Sequence, residues 1–145
     1  MAAALGIAAS MAGLLSVAVK VGTVITSFIS SVDDVPESAR TALTAVEGMR
    51  LTLTSVKQMT DNQFQVPPGR KEMIHVRHLV VILREVILAF SDLEAIIVPL
   101  GGFGEGISVW DTMKWLLEEK NISRAVQRLV SHKTSLSLML NILQW

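Results

Sequence analysis

VRHLVVILREVILAFSDLEAII, residues 76–97, is the stretch that decides the fold. Val76, Leu79, Leu83, Val86, Phe90, Leu93 and Ile97 return at alternating steps of three and four, the rhythm that gathers side chains on one face of an α-helix. A strand facing one core would alternate every second residue, and no segment of the chain does so over strand length. Val80, Val81, Ile82, Ile87 and Leu88 fill the adjoining faces. A helix apolar most of the way round is expected at the centre of a bundle. Pro99 and the glycines beyond it end the pattern, so the helix is expected over residues 70–98.

Four further helical patterns, one of them short, accompany it. Leu14, Val17, Val21, Val24 and Phe28 form one stripe, with Ser16, Lys20, Thr23, Ser27 and Ser30 on the opposite face, which predicts a helix over 3–31. The next is expected over 35–61, with Asp34 as cap, Glu37 three residues on and Pro36 in the first turn. Its stripe is Ala39, Leu43, Val46, Met49, Leu53 and Val56. Pro67, Pro68 and Gly69 separate it from the central helix. A short helix with Trp110 and Trp115 is expected over 108–119. The last long helix is expected over 121–144, with Ile122, Val126, Leu129, Leu136, Leu140 and Leu143 on its stripe and Lys133 at the missing step. The fold class is therefore all-α: one domain, an antiparallel four-helix bundle with an extra short helix before the last long one.

Composition excludes several kinds of function. With 145 residues the chain can bury a core of its own, and it holds no cysteine for a disulfide or a thiolate metal site. Thirteen basic and thirteen acidic residues leave no net charge, and aromatics are 5%, which speaks against nucleic acid as a partner. Glu72 and His75 have the Glu-x-x-His spacing of a bundle di-iron site, but the second such motif is missing, since Leu129 precedes His132 at that distance. The glycines between Gly101 and Gly106 follow a helix and lack the Lys-Ser/Thr ending of a phosphate loop. No set of residues asks for chemistry, so no enzyme activity and no cofactor are expected.

What remains points to surfaces. Lys20 is the only charged residue before Asp33, and the first segment is long enough to span a bilayer but has no basic start typical of a secretory signal. Its resting place is expected to be the bundle. Gly6 with Ser10 and Ala9 with Gly13 are small-x-x-x-small pairs, a spacing that lets helices approach closely in lipid or in an alanine-rich core. Lys120, Arg124, Arg128 and His132 recur every fourth residue beside Lys133, while Arg70, Lys71, Arg77 and Arg84 load the third helix. Two readings stand for the basic stripe: a solvated face paired with Glu118 and Glu119, or a contact for lipid headgroups.

Residues 5–32, from Leu-Gly-Ile-Ala-Ala-Ser-Met-Ala-Gly through Ser-Phe-Ile-Ser-Ser-Val, resemble the opening of fungal HeLo-like domains. So do Phe90-Ser-Asp-Leu-Glu94, Trp110-Asp-Thr-Met-Lys-Trp115, and the stretch from Ile122 to Leu143, in that order and spacing. Such domains stand at the N-terminus of fungal STAND (NOD-like receptor) proteins. The resemblance implies a cell-death or incompatibility effector, activated by self-association and acting on membranes. It implies a cytoplasmic resting state, the plasma membrane as the place of action, and a parent chain with a downstream NTPase and repeat region. Leu5, Gly6, Ala9, Gly13, Leu14, Val17, Lys20 and Val21 are then the membrane-engaging residues, and Lys120, Arg124, Arg128 and Lys133 the candidates for anionic headgroups. The alternative is a soluble adaptor that binds another helical domain through one apolar face.

Overall fold

A computed structural model describes residues 2–63, 70–101 and 112–143, with side chains for 9–59, 77–100 and 112–141. All of them except the link at 32–36 are helical: α1 (Ala2–Ser31), α2 (Glu37–Gln63), α3 (Arg70–Ile97), a single 3₁₀ turn (Val98–Gly101) and α4 (Thr112–Leu143). No strand occurs among the described residues.

The ends follow from local chemistry. The last amide tied back to α1 is that of Val32, which donates to the Phe28 carbonyl at 3.3 Å. Pro36 then disfavours helix at Val35. α2 begins at Glu37, three residues beyond the expected cap Asp34. The Pro36 carbonyl accepts from the Ala39 amide at 3.1 Å, so the proline stands just before α2 rather than within its first turn.

The last two expected helices are one. Residues 112–119, assigned to the short helix, form the first turns of α4, which runs unbroken past Lys120. The physical reason is plain in hindsight. Glu118-Glu119-Lys120-Asn121 contains no glycine or proline, and Asn121 donates to Glu118 one turn back at 3.1 Å. Trp115 and Ile122, seven residues apart, are both fully buried, so the apolar stripe carries across the expected break. Trp110 and residues 108–111 lie outside the described residues.

Packing forms a ring. α1 packs on α2 and α3, and α4 packs on the same two, so α1 lies across one diagonal from α4 and α2 across the other from α3. Leu79, Leu83, Val86, Phe90, Leu93 and Ile97 of α3 are buried as their spacing requires. The expectation of a central helix fails, because a ring of four has no centre for a helix to occupy. Val81, Ile87 and Leu88 therefore face outward. α1 buries Met11, Leu14, Ala18, Val21, Ile25 and Phe28; α2 buries Ala39, Ala42, Val46, Met49, Leu53 and Val56. On α4, Met139 is buried and Leu140 only partly. Each fully buried large apolar side chain contributes roughly 1.5–3 kcal/mol.

One end is locked by polar contacts as well. The Phe28 and Trp115 rings stack with centroids 4.7 Å apart. The indole N–H donates to Ser38 at 2.9 Å, and the Ser38 hydroxyl donates to Glu119 at 2.7 Å. The Thr112 hydroxyl reaches the Asp34 carbonyl at 3.2 Å. The end of α1 and the beginnings of α2 and α4 thus meet.

Candidate functional site

Ala9–Ser31 is the segment of the described residues long and apolar enough to cross a bilayer: 23 residues, mean hydropathy 1.8, with 39% of its most apolar window buried. The expected membrane-engaging residues divide by face. Leu14 and Val21 are buried and Val17 is half-buried. Ala9, Gly13 and Lys20 are exposed. Leu5 and Gly6 belong to the helical backbone, and their side chains lie outside the described residues.

The glycines discriminate between the two explanations of the small residues. A Cβ at Gly13 would meet nothing within 4 Å, so no neighbouring helix needs this position to be small. Gly22 differs. A Cβ there would stand 3.1 Å from a Glu47 carboxylate oxygen and 3.7 Å from Val46, so Gly22 is where α1 closes on α2. Close packing within the bundle thus uses Gly22, while the Ala9–Gly13 pair stands free on the open face.

Hydroxyls make up much of the rest of that face. Thr23 donates to the Val19 carbonyl at 2.8 Å, Thr26 to Gly22 at 2.8 Å and Ser31 to Ser27 at 2.6 Å. Each hydroxyl proton is satisfied within the helix, which lowers the cost of moving such residues into a less polar setting. Thr23, Thr26, Ser27 and Ser30 line an open groove of about 480 Å³ against Glu47 and Arg50 of α2. There Arg50 donates to one Glu47 oxygen through Nε at 3.0 Å and Nη2 at 2.8 Å. Lys20 reaches across to Glu94 of α3 at 3.1 Å, a pair exposed enough to contribute only about 0–1 kcal/mol.

The four expected headgroup cations do not act as one set. Lys120 and Arg124 are exposed and make no ion pair among the described residues. Arg128 pairs with Asp92 of α3. Lys133, at the missing step of the α4 stripe, is half-buried against α2, where a Cβ on Gly48 would come within 2.9 Å of its ammonium. Glu118 and Glu119, expected as partners of the stripe, accept instead from Asn121 and Ser38. Spacing along one helix could not reveal Asp92, Glu94 or Gly48 as partners, because each belongs to another helix.

No group of three or more metal-holding side chains occurs among the described residues, and none of their buried side-chain nitrogens or oxygens lacks a hydrogen-bond partner. Glu72 and His75 have side chains outside them, as do Gly102–Gly106 of the glycine run; His78 is exposed. Comparison with protein-family models, curated proteins and solved structures finds no match to this chain.

Proposed function

We propose that this bundle is a membrane-acting effector domain, non-catalytic and without a cofactor, in which α1 is the executing element and self-association the trigger. The observation that carries the proposal is the division of α1 into a buried apolar face and an open face of small and hydroxyl-bearing residues on a segment of bilayer length. Consecutive helices running in opposite directions, the antiparallel arrangement expected from the sequence, accord with the contacts Phe28–Trp115, Trp115–Ser38 and Lys20–Glu94.

Energetics define when α1 can leave. Exposing Met11, Leu14, Val21, Val24, Ile25 and Phe28 to water would cost about 9–18 kcal/mol at about 1.5–3 kcal/mol each, so the isolated bundle stays closed. Lipid offers these side chains an equivalent apolar environment and removes most of that cost. Lys20 remains the obstacle, since it falls at the middle of Ala9–Ser31 and a lysine at the bilayer centre costs about 2.5–3.5 kcal/mol on insertion scales. Several associated copies could turn Lys20 toward a shared water-filled interior, while Ala9 and Gly13 let their backbones approach. Self-association thereby relieves the largest electrostatic cost of insertion.

The HeLo-like resemblance supports the same activity: a fungal cell-death or immune-type domain, cytoplasmic at rest and at the plasma membrane when active, driven by an NTPase and repeat region of a longer parent chain. Dye release from anionic liposomes, with and without forced oligomerisation, tests the proposal. The oligomerised chain should permeabilise, and the same chain without residues 1–12 should not. Equal leakage from both would remove α1 as the executing element. A soluble adaptor is the second reading, favoured by Leu116 and Leu117 exposed at the start of α4. It predicts a helical protein partner and no leakage under any condition.

A further inference from the structure

α1 and α2 lie side by side, and Gly22 is the point at which they close. Beside that point the open groove of about 480 Å³ runs between Thr23, Thr26, Ser27 and Ser30 of α1 and Glu47 and Arg50 of α2. Its volume lies within the range of small-molecule sites, about 300–1,000 Å³.

The groove keeps hydrogen-bonding capacity of both kinds. Arg50 uses Nε and Nη2 on a single Glu47 oxygen. Nη1 is left as a donor and the second Glu47 oxygen as an acceptor, neither engaged among the described residues. That second oxygen lies over Gly22, 3.1 Å from the place a Cβ would take. The Ser27 and Ser30 hydroxyls likewise have no partner among the described residues. Thr23 and Thr26 give their protons to carbonyls one turn back and keep their oxygens as acceptors. Solvent reaches both members of the ion pair, since Glu47 and Arg50 side chains are 42% and 40% exposed.

These features select a ligand class. Carboxylate and guanidinium cancel, so the groove offers no net charge to an anion or to a cation. An apolar ligand would strip water from the polar side chains and return no hydrogen bond. A compound with several hydroxyls, each a donor and an acceptor at once, answers the adjacent free acceptor, free donor and serines together. We propose that the α1–α2 groove binds a neutral polyol of monosaccharide size. Neighbouring hydroxyls of the ligand engage Glu47 and Arg50, and others engage Ser27 and Ser30. Such a ligand touches both helices, so it binds the bundle only while α1 lies on α2. At ten times its dissociation constant it favours the closed bundle about 11-fold. That consequence rests on the release of α1 proposed above, whereas the binding does not.

Titration of the intact, isotope-labelled chain with D-glucose and with D-mannitol, followed by amide resonances, tests the site. Resonances of Gly22, Ser27, Glu47 and Arg50 should shift and saturate with at least one of them. Cyclohexanol, which has a ring but one hydroxyl, and inorganic phosphate should leave them in place. Sugars also stabilise folded chains by exclusion from the surface, which neither saturates nor belongs to one site, so saturation and location carry the result. Ser27→Ala with Ser30→Ala removes two neutral hydrogen bonds and should weaken binding about fivefold or more. Arg50→Met keeps the stem, removes a charged donor and should weaken it about tenfold or more. Thr134→Ala, which alters an exposed hydroxyl on α4, should change nothing. Shifts that saturate with neither polyol, binding unaffected by both groove variants, or phosphate held more tightly than the polyols would overturn the proposal, the last in favour of an anion at Arg50. Dye release, with the same sugar inside and outside the vesicles, separates the site from the effector role. A saturating polyol should slow leakage by the oligomerised parent and not by the Ser27→Ala, Ser30→Ala chain. Saturable binding without effect on leakage counts against the release of α1 and leaves the polyol site standing, and absent binding in a chain that leaks sinks the site alone.

Discussion

Two glycines nine residues apart on α1 should respond in opposite ways to the same substitution. At Gly13 a Cβ would have nothing within 4 Å, so Gly13→Leu has room at its first side-chain carbon and is expected to gain helix propensity of about 0.8 kcal/mol. For a chain of this size that corresponds to a melting temperature about 2–4 °C higher. At Gly22 the same side chain must enter a gap already closed to 3.1 Å by Glu47, with Val46 behind it. Overpacking of this kind costs about 1–3 kcal/mol, more than propensity returns, so Gly22→Leu should melt lower. Thermal and urea unfolding followed by circular dichroism measure both. Leakage measured on the same samples separates stability from action: Gly13→Leu should permeabilise poorly although it is at least as stable as the parent, because bulk at the open face keeps α1 backbones apart in lipid. A Gly13→Leu protein that melts well below the parent would mean that this face is packed within the bundle, and one that leaks normally would mean that copies of α1 do not meet there.

The core makes blunter predictions. Leu83→Asp or Phe90→Asp should abolish cooperative unfolding, because an unpaired carboxylate in the ring's interior costs several kcal/mol; a soluble, sharply melting variant would mean the core is elsewhere. Trp115→Phe keeps the stacking on Phe28 but removes the donor to Ser38, for an expected loss of about 1–2 kcal/mol, whereas Trp115→Ala should lose about 3–5 kcal/mol. Equal losses from the two in urea unfolding would argue that the ring contributes nothing beyond its N–H.

Much of this was legible in one dimension. A burial pattern at steps of three and four is a property of the helix itself, so most of the α2 and α3 stripes and the ends of α1 and α3 could be read from spacing; Leu43 is only half-buried, and the side chain of Val76 lies outside the described residues. The length and apolarity of Ala9–Ser31, and the lone lysine within it, were equally visible. The break expected before Asn121 does not occur, because no residue there stops a helix.

Which helix neighbours which is another matter, since it depends on side chains far apart in sequence meeting across a groove. Only the tertiary structure made α3 a wall rather than a centre, gave Arg128 to Asp92 and Lys20 to Glu94, and laid Lys133 over Gly48. It also assigned the glycines of α1, one to the seam with α2 and one to open space, a distinction that periodicity cannot make because both belong to the same apolar run. The sequence by itself determined that the chain makes amphipathic helices with an apolar first segment, because hydrophobic period and turn chemistry act over a few residues. The ring decided which charges are left without partners and which small residues stand exposed, because pairing and occlusion are set by the neighbouring helix.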